Sequence, residues 1–324
     1  MIIGIVIISL IIITAGYLLS IPLIVIHNLG DKHVDFKKIW SPEEFDLKSE
    51  HFFVKTDDKL NISVYEVEVK RPKAVVICLP GMFTPSATIY YGHARFFKRH
   101  GYATVMLDMR GHGESDGDHI CLGYREWMDV KAVVNHIKKK PIYENVPVVV
   151  MGLSMGAVTA INSMAEIPEI DGLISLSAYS AYEDIFHDNM LKKAPRLLTD
   201  IVKPFVVMAT ALKYKINTFR IRPTRAIKKL GNRPALLMHT KEDSEAGFIN
   251  FERLMKHAPE HVETFVRKGN YHMIIKLNIF TEPEGDAVYA NKIMNFLDSH
   301  FQPDSYRFAD RHETEEAGVY LVEG

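Results

Sequence analysis

The sequence predicts an α/β protein with a mostly parallel, doubly wound sheet, and three observations favour this fold class. Short runs of apolar, β-branched residues, typical of buried parallel strands, alternate with segments that have the pattern of helices. Polar groups follow several of these runs directly, at the edge where open α/β sheets assemble their sites. One such run leads straight into a helix through a glycine-bounded turn that carries Ser154.

The elements are predicted in chain order. An opening hairpin is expected from strands at 51–56 and 62–69, around the turn Asp57-Asp58-Lys59. Further strands are predicted at 73–79, 103–107, 146–151, 172–177, 233–239 and 262–266. One helix is predicted to open with residues 123–129, and a second lies at 157–165, after the strand at 146–151. A third is predicted at the carboxyl end, at 286–301. No internal repeat is present in the sequence.

The N-terminal segment 2–26 has no charged residue and consists mostly of Ile, Leu and Val. At about 1.5 Å per residue, a helix of this length spans a hydrocarbon core of about 30 Å. A cleaved signal peptide would show a basic start, a shorter apolar run and an A-x-A-like site, none of which is present. A transmembrane signal anchor is therefore predicted, with a cleaved peptide and a buried helix as alternatives.

The orientation of this anchor stays open. Lys32, Lys37 and Lys38 follow the segment and no Lys or Arg precedes it, which weakly favours the cytoplasmic side for the rest of the chain. Acidic residues among these lysines dilute the contrast. Three further divisions are predicted: a juxtamembrane linker at 27–48, the α/β domain at 49–301, and a polar, acidic tail at 302–324 that is expected to fray.

The composition excludes several function classes. The net charge of −1 and the 47% of hydrophobic residues are those of an ordinary globular protein and give no sign of nucleic-acid binding. Cys78 and Cys121 are the only cysteines and are predicted to be free thiols. No glycine-rich phosphate loop and no cluster of metal ligands stands in the sequence, so we expect neither a cofactor nor a metal.

The pentapeptide GLSMG at residues 152–156 is the pattern of a nucleophile elbow, because a strand precedes it and a helix follows it. The bare pattern also fits an ordinary strand-to-helix turn, so the downstream residues matter. Asp243 follows the strand at 233–239, and His272 follows the strand at 262–266. The order Ser, Asp, His is that of α/β serine hydrolases. Ser154 is predicted as nucleophile, His272 as base and Asp243 as the acid that orients it.

Rival assignments exist for two of these three residues. Glu242 and Glu245 lie beside Asp243, and either carboxylate could reach a histidine. Among 15 histidines, His272 follows a strand through a Gly-Asn turn, whereas His257 and His261 flank a turn with Pro259. The oxyanion hole should combine the main-chain N–H after the nucleophile, that of Met155, with one from the loop that follows the strand at 73–79. Met82 is the predicted second donor, although its side chain would also suit the core.

The stretch DMRGHGESDG at residues 108–117, followed by G-x-x-E-x-x-D at 123–129, resembles the α/β-hydrolase superfamily. The similarity is to its lipase, esterase and serine-aminopeptidase-like branch, which includes monoacylglycerol-lipase-like proteins, and it covers roughly residues 50–301. It implies that Asp108 and His112 are structural, and similar H-G-x-x-D loops support Asp243. Glu126 and Asp129 are expected in the first turn of their helix, where the helix dipole favours negative charge. Relatives carry His-Gly where this chain has Pro80-Gly81, a change that leaves the main-chain donor in place.

About fifty residues separate the strand at 172–177 from the strand that includes Ala235, too many for a structureless loop. Similar hydrolases carry a helical lid here, so residues 178–230 are predicted to be one. Eleven basic and four acidic side chains give this segment a net charge of +7. Its apolar stretch 205–212 could line an acyl pocket, and the basic flanks could meet anionic lipid. The alternative is a plain lid with solvated Lys and Arg.

The resemblance and the apolar segment 2–26 together favour a membrane-anchored serine hydrolase of carboxylic esters, of the acylglycerol, lysophospholipid or thioester type, acting through an acyl-enzyme. The alternative is a serine aminopeptidase-like enzyme that acts on short peptides. A non-catalytic binding protein would not need the complete Ser-His-Asp set, and a dehalogenase would carry Asp at the nucleophile position. The expected partners are a small acyl substrate and a lipid membrane, with no nucleic acid and no obligate protein partner.

Overall fold

The strands of the described chain form one sheet: β1 Glu50–Lys55, β2 Asn61–Val67, β3 Val75–Leu79, β4 Ala103–Leu107, β5 Val148–Leu153, β6 Gly172–Leu176, β7 Ala235–Thr240 and β8 Glu263–Arg267. Their order across the sheet is β1-β2-β4-β3-β5-β6-β7-β8. Strand β2 is antiparallel to β1 and β4, and the other neighbours are parallel. The structure, a computed structural model, describes residues 2–30, 32–36, 38–276 and 280–302. The predicted mostly parallel sheet and its opening hairpin are confirmed.

The helices are α1 Ile2–Gly30, α2 Tyr91–Arg99, α3 Trp127–Ile137, α4 Met155–Glu166, α5 Tyr182–Leu191, α6 Arg196–Tyr214, α7 Pro223–Ala226, α8 Ile249–Met255 and α9 Ala287–Phe301. Short 3-10 turns lie at Pro42–Phe45, Ala87–Tyr90, Ile227–Lys229 and Pro283–Gly285. Most of these helices follow a strand, as a doubly wound sheet requires. The three helices α5, α6 and α7 stand between β6 and β7.

Apolar side chains cover both faces of the sheet, which explains why its central strands are continuously hydrophobic. In β3, Val75, Ile77 and Leu79 belong to one core cluster and Val76 and Cys78 to the other. Helices α3 and α4 pack on the first cluster, and α2 and α9 pack on the second. The result is three layers, with the carboxyl ends of the parallel strands along one edge. Cys78 and Cys121 are both buried free thiols.

Within the described residues, one helix is long and apolar enough to cross a membrane, at Ile2–Ile24 with a mean hydropathy of 2.8. A signal sequence would satisfy the same criterion. Its first turns are exposed, and Ile13, for example, is 68% accessible. The helix α1 extends to Gly30, past the predicted end at 26. Its later part contacts α6, and Leu18 and Leu23 pack against the core of the catalytic body.

The segment predicted as a linker, at 27–48, makes contacts with the rest of the chain. Residues 27–30 continue α1, and several of the residues after them pack against the domain that carries the sheet. The main chain of Val34 exchanges hydrogen bonds of 2.8 and 2.9 Å with residues 111 and 113. Trp40 N donates to a threonine hydroxyl before α2, and Phe45 is buried. The polar residues and Pro42 suggested a linker. The residues that this segment contacts are distant in sequence, so its local pattern does not indicate them. Except for Gln302, the predicted tail lies outside the described residues.

Candidate active site

The turn between β5 and α4 holds Ser154 in a strained backbone conformation, with φ 55° and ψ −116°. Residues other than glycine rarely adopt such angles, and the strain costs of order 1–3 kcal/mol. Both glycines of the pentapeptide are required by close packing. A Cβ on Gly152 would lie 2.2 Å from the carbonyl oxygen of Gly156, and one on Gly156 would lie 2.2 Å from that of Leu79. The turn is therefore pressed against the end of β3 with Ser154 at its tip.

The loop after β3 lies beside this turn. A Cβ on Gly81 would be 3.5 Å from the Cβ of Ser154, so the loop passes directly over the serine. His112 is buried and its Nε2 is 2.9 Å from the carbonyl oxygen of Met82, which ties the loop to the body. No described main-chain hydrogen bond outside regular helices and strands is donated by Met82 or by Met155, the first residue of α4. Each amide can therefore donate to a bound oxyanion, and their assignment as the oxyanion hole remains a prediction.

The segment at 108–129 holds the loops around the site together. Arg110 is buried and pairs with Asp129 at 2.7 Å and with Asp58 at 2.8 Å. Asp108 is fully buried and accepts a hydrogen bond from a main-chain amide before α2. Glu126 and Asp129 are also fully buried, and Glu126 accepts from a loop amide. For Asp129 the expected interaction with the helix dipole is therefore secondary, since removing one member of a buried ion pair costs about 3–5 kcal/mol.

Asp243 and His272 form the central polar pair of the site. The Nδ1 atom of His272 lies 2.9 Å from one carboxylate oxygen of Asp243 and 3.1 Å from the other. The carboxylate also accepts hydrogen bonds of 2.9 Å from the amides of Glu245 and Ala246, which fix its position. The rival Glu242 lies exposed and accepts from a main-chain amide of the loop after β8.

The charges of this pair suit a base and the acid that orients it. Burial would raise the pKa of Asp243, but the hydrogen bond from His272 and the two amide donors lower it to about 2. Burial would lower the pKa of His272, but the hydrogen bond and charge of Asp243, together with the charge of Glu245, raise it above its usual value. A proton on Nδ1 directed at an ionised Asp243 leaves Nε2 free to accept another.

One cavity of about 580 Å³ joins the predicted residues. Ser154, His272 and Met82 line it directly, whereas Asp243 lies behind His272 and Met155 is buried below the serine. The remaining lining side chains are largely apolar or aromatic and include Phe83, Leu153, Tyr179, Tyr182, Ile185 and Met273. The structure thus brings all five predicted site residues together at the carboxyl edge of the sheet.

Sequence reasoning considered Glu245 only as a rival to Asp243, yet its carboxylate lies in the same cavity. It is 3.7 Å from Nε2 of His272, and the side chain is 70% exposed. Asn270 was not predicted either, and its side-chain oxygen accepts a 3.0 Å hydrogen bond from the amide of Ser244, which links the two loops that carry Asp243 and His272. The acidic cluster at 242–245 was the available signal for Glu245.

The insertion at 178–230 is helical, but its contact with the cavity differs from the expectation. Tyr179, Tyr182 and Ile185, at the start of the insertion, line the cavity. The stretch 205–212 lies in α6 and is not part of the lining, so its predicted role in an acyl pocket is wrong for this cavity. The reason is packing, because α6 lies against α5 and α1 and buries Val206 in the core.

Ion pairs neutralise much of the basic charge of the insertion. Lys203 pairs with Asp184 at 2.6 Å, and Arg222 pairs with the same carboxylate at 3.0 Å and with Glu183 at 3.2 Å. Arg220 reaches Glu166 at the end of α4, at 2.7 Å. Arg220 and Arg222 therefore hold the insertion in place and are unsuitable probes of lipid attraction. Glu183 and Asp184 are already counted in the net charge of +7, so among these carboxylates only Glu166, which lies outside the insertion, lowers it further.

Comparison with known proteins gives four findings. A family model described as serine aminopeptidase, S33, matches residues 70–233. The uncharacterised protein YqkD of Bacillus subtilis (strain 168) is 25% identical over 230 residues, which cover 70% of this chain and 72% of that protein. The esterase Pf2001 of Pyrococcus furiosus superposes with a TM-score of 0.63 at 22% identity, over 84% of this chain and 100% of that chain. The α/β-hydrolase GrgF of Penicillium sp. sh18 gives 0.60 at 17% identity, over 79% and 99%.

These similarities support conclusions of different kinds. The solved structures share the fold, at identities too low to transfer a substrate. The family match spans half of the chain and includes the turn with Ser154, although it ends before Asp243 and His272. The match and the three-layer architecture therefore agree on one assignment: the chain belongs to the serine aminopeptidase S33 family of hydrolases and has the α/β-hydrolase fold.

Proposed function

We propose that this hydrolase cleaves carboxylic esters through a Ser154–His272–Asp243 triad and an acyl-enzyme intermediate. One observation carries the proposal. A serine on a strained strand-to-helix turn and a histidine held by a buried, ionised carboxylate open onto the same cavity. This is the arrangement of nucleophile, base and orienting acid on which serine acyl transfer depends.

The chemistry follows from these positions. Nε2 of His272 accepts the hydroxyl proton of Ser154 while the serine oxygen attacks the ester carbonyl carbon. The N–H groups of Met82 and Met155 stabilise the negative oxygen of the tetrahedral intermediate. The intermediate collapses to an acyl-enzyme, and His272 gives its proton to the departing alcohol. Water then enters and gives a proton to the same nitrogen as its oxygen attacks the acyl carbon. The bond from that carbon to Ser154 breaks, the serine oxygen takes the proton back from His272, and the carboxylic acid is released.

The lining of the cavity favours an acyl substrate. Phe83, Leu153, Ile185 and Met273 present apolar surface next to Ser154, where the acyl portion of a substrate would bind. Removing such a chain from water contributes about 25 cal/mol per Å² of buried apolar area. Within the ester class, acylglycerols, lysophospholipids and acyl thioesters all present such a chain next to the scissile carbonyl.

A second candidate is an aminopeptidase acting on short peptides, and Glu245 is the observation that favours it. Its carboxylate stands in the cavity close to His272, where it could pair with the protonated amine of a substrate. The description of the family model points the same way. The apolar lining favours the ester, because a free α-amine gains little from it.

The test compares the two substrate classes on the full chain in neutral detergent. We expect turnover of p-nitrophenyl esters that rises with acyl length, and negligible turnover of aminoacyl-amides. Ser154→Ala supplies the control for background hydrolysis. Turnover of aminoacyl-amides without turnover of any ester would contradict the proposal and support the peptidase.

Glu245→Gln should shift the pH dependence of ester hydrolysis. The negative carboxylate favours the charged imidazolium, so its removal lowers the pKa of His272. The base must be neutral to act, and activity is lost as pH falls through this pKa. We therefore expect the acidic limb of kcat/KM to move to lower pH, with the plateau at higher pH unchanged.

Glu242→Gln is the matched control, since it removes the same charge from the same loop outside the cavity lining. Equal profiles for the two variants would contradict the assigned effect of Glu245. With aminoacyl-amides, a rise in KM specific to Glu245→Gln would instead indicate that this carboxylate binds a substrate amine.

We also propose that α1 is an uncleaved, single-pass membrane anchor of the catalytic body. The helix is apolar, its first turns are exposed, and it contains no Asp, Glu, Lys or Arg. We expect the protein to stay in the membrane pellet after alkaline carbonate extraction, and its intact mass to include residues 2–26. A mass lacking the first twenty or so residues would show a cleaved signal peptide instead. The lysines after α1 weakly favour the cytoplasmic side for the catalytic body.

A further inference from the structure

A second cavity, of about 390 Å³, lies where α7 approaches the end of α8. Basic groups dominate its wall. The lining side chains are Asp184, Arg222, Thr224, Arg225, Lys228, Arg253, Lys256 and His257. Five of the eight are Arg or Lys, against one carboxylate, and none of the eight belongs to the cavity around Ser154. We call this the basic cavity.

Two of its cations are already neutralised. Arg222 pairs with Glu183 and Asp184, and Arg253 forms a two-pronged pair with Asp188 at 2.5 and 2.8 Å. The single carboxylate of the wall, Asp184, is shared between Arg222 and Lys203. The ion pairs of the described chain include none for the other three cations, which are Arg225, Lys228 and Lys256.

These unpaired cations come from separate parts of the chain and meet only through folding. Lys228 lies in the turn after α7, and Lys256 follows α8. The pKa of His257, between them, is lowered first by burial and then by the charges of Lys228 and Lys256. Like charges gathered around a concavity repel one another, and a bound anion relieves that repulsion.

An apolar groove adjoins the basic cavity. It has a volume of about 750 Å³ and runs along α6, and Arg222 lines both it and the basic cavity. Its apolar lining consists of Pro204, Val207, Met208, Ala211, Ile216 and Phe219. Met208 is 42% exposed and Phe219 is 64% exposed. The groove lies on α6, the helix that α1 contacts.

We propose that the basic cavity and the groove together form a binding site for an anionic phospholipid. The phosphate lies among Arg225, Lys228 and Lys256, with the Thr224 hydroxyl as a further donor, and an acyl chain lies along the groove of α6. Cations with no protein partner are the groups that attract an anionic headgroup, and the adjoining apolar surface selects a lipid over a soluble phosphate. This site is separate from Ser154, and the proposal does not depend on which bond the enzyme cleaves.

The test measures lipid retention by native mass spectrometry of the full chain released from neutral detergent. Phosphatidylglycerol is compared with phosphatidylcholine of identical chains. The double variant Lys228→Gln with Lys256→Gln should bind phosphatidylglycerol about tenfold more weakly. Lys98→Gln with Lys139→Gln is the matched control, since it removes two exposed lysines from α2 and from the turn after α3, and it should bind as the wild type does.

Two further measurements separate the lipid from other anions. Glycerol 3-phosphate, the headgroup without chains, should compete only at more than a hundredfold higher concentration, and Phe219→Ser should weaken retention of phosphatidylglycerol. Competition at equal concentration would overturn the lipid assignment in favour of a soluble phosphate. Equal retention by the double variant and its control would overturn the site. Turnover of a soluble p-nitrophenyl ester should be unchanged in the double variant, which keeps a failure here distinct from a failure of the proposed hydrolase activity.

Discussion

Replacing Ser154 with alanine is expected to lower kcat for ester hydrolysis by about 10⁶-fold and to abolish labelling by a fluorophosphonate probe. The strained turn presents the serine to the cavity, whereas the hydroxyl of Ser244, which also lines the cavity, donates a hydrogen bond to Asn270. His272→Ala should cost nearly as much, because members of a triad act as a unit. The loss is measured by single-turnover kinetics and by in-gel fluorescence of the probe.

Ser163→Ala is the matched control. Ser163 lies further along α4, and its hydroxyl is buried without a hydrogen-bond partner, so the substitution removes no interaction. This variant should be labelled as the wild type is. Labelling of Ser154→Ala at the wild-type rate would show that the nucleophile is elsewhere.

The second large effect is expected for Asp243→Asn, with a loss of kcat of the order of 10⁴-fold, as the same change costs in serine-protease triads. An amide at this position no longer favours the tautomer of His272 whose Nε2 accepts the serine proton. The fold should persist, since the remaining side-chain oxygen can still accept the amides of Glu245 and Ala246. Thermal unfolding would verify this, and kcat with a saturating ester gives the effect.

The neighbouring carboxylate gives the control for the acid. Glu242→Gln changes an exposed side chain that bonds a main-chain amide, and we expect near-normal turnover. The reverse result, with Asp243→Asn active and Glu242→Gln inactive, would assign the orienting acid to Glu242.

The parts of the fold that the sequence predicts well are those with a local signal. The strands β3 and β5 are continuous apolar runs, and the elbow glycines mark the next turn, so their bounds shift by only a few residues. The positions of Asp243 and His272 follow from their place after β7 and β8. Parallel strands bring those ends together whatever the detail of the loops.

What could not be predicted depends on contacts between distant segments. The approach of Glu245 to His272 depends on the loop conformation that the amides around Asp243 impose. The pair between Arg220 and Glu166 joins residues 54 positions apart and has no local pattern. The stretch 205–212 does not line the cavity around Ser154, because an apolar stretch does not reveal which neighbours it packs against, and here the neighbours of α6 are α5 and α1.

The hydrogen bonds of Val34 have a consequence for how the catalytic body moves relative to the bilayer. They join the segment just after α1 to the loop at 111–113, and His112 in that loop holds the carbonyl of Met82 beside Ser154. With α1 in a membrane, these contacts would restrict the rotation of the cavity mouth relative to the bilayer surface.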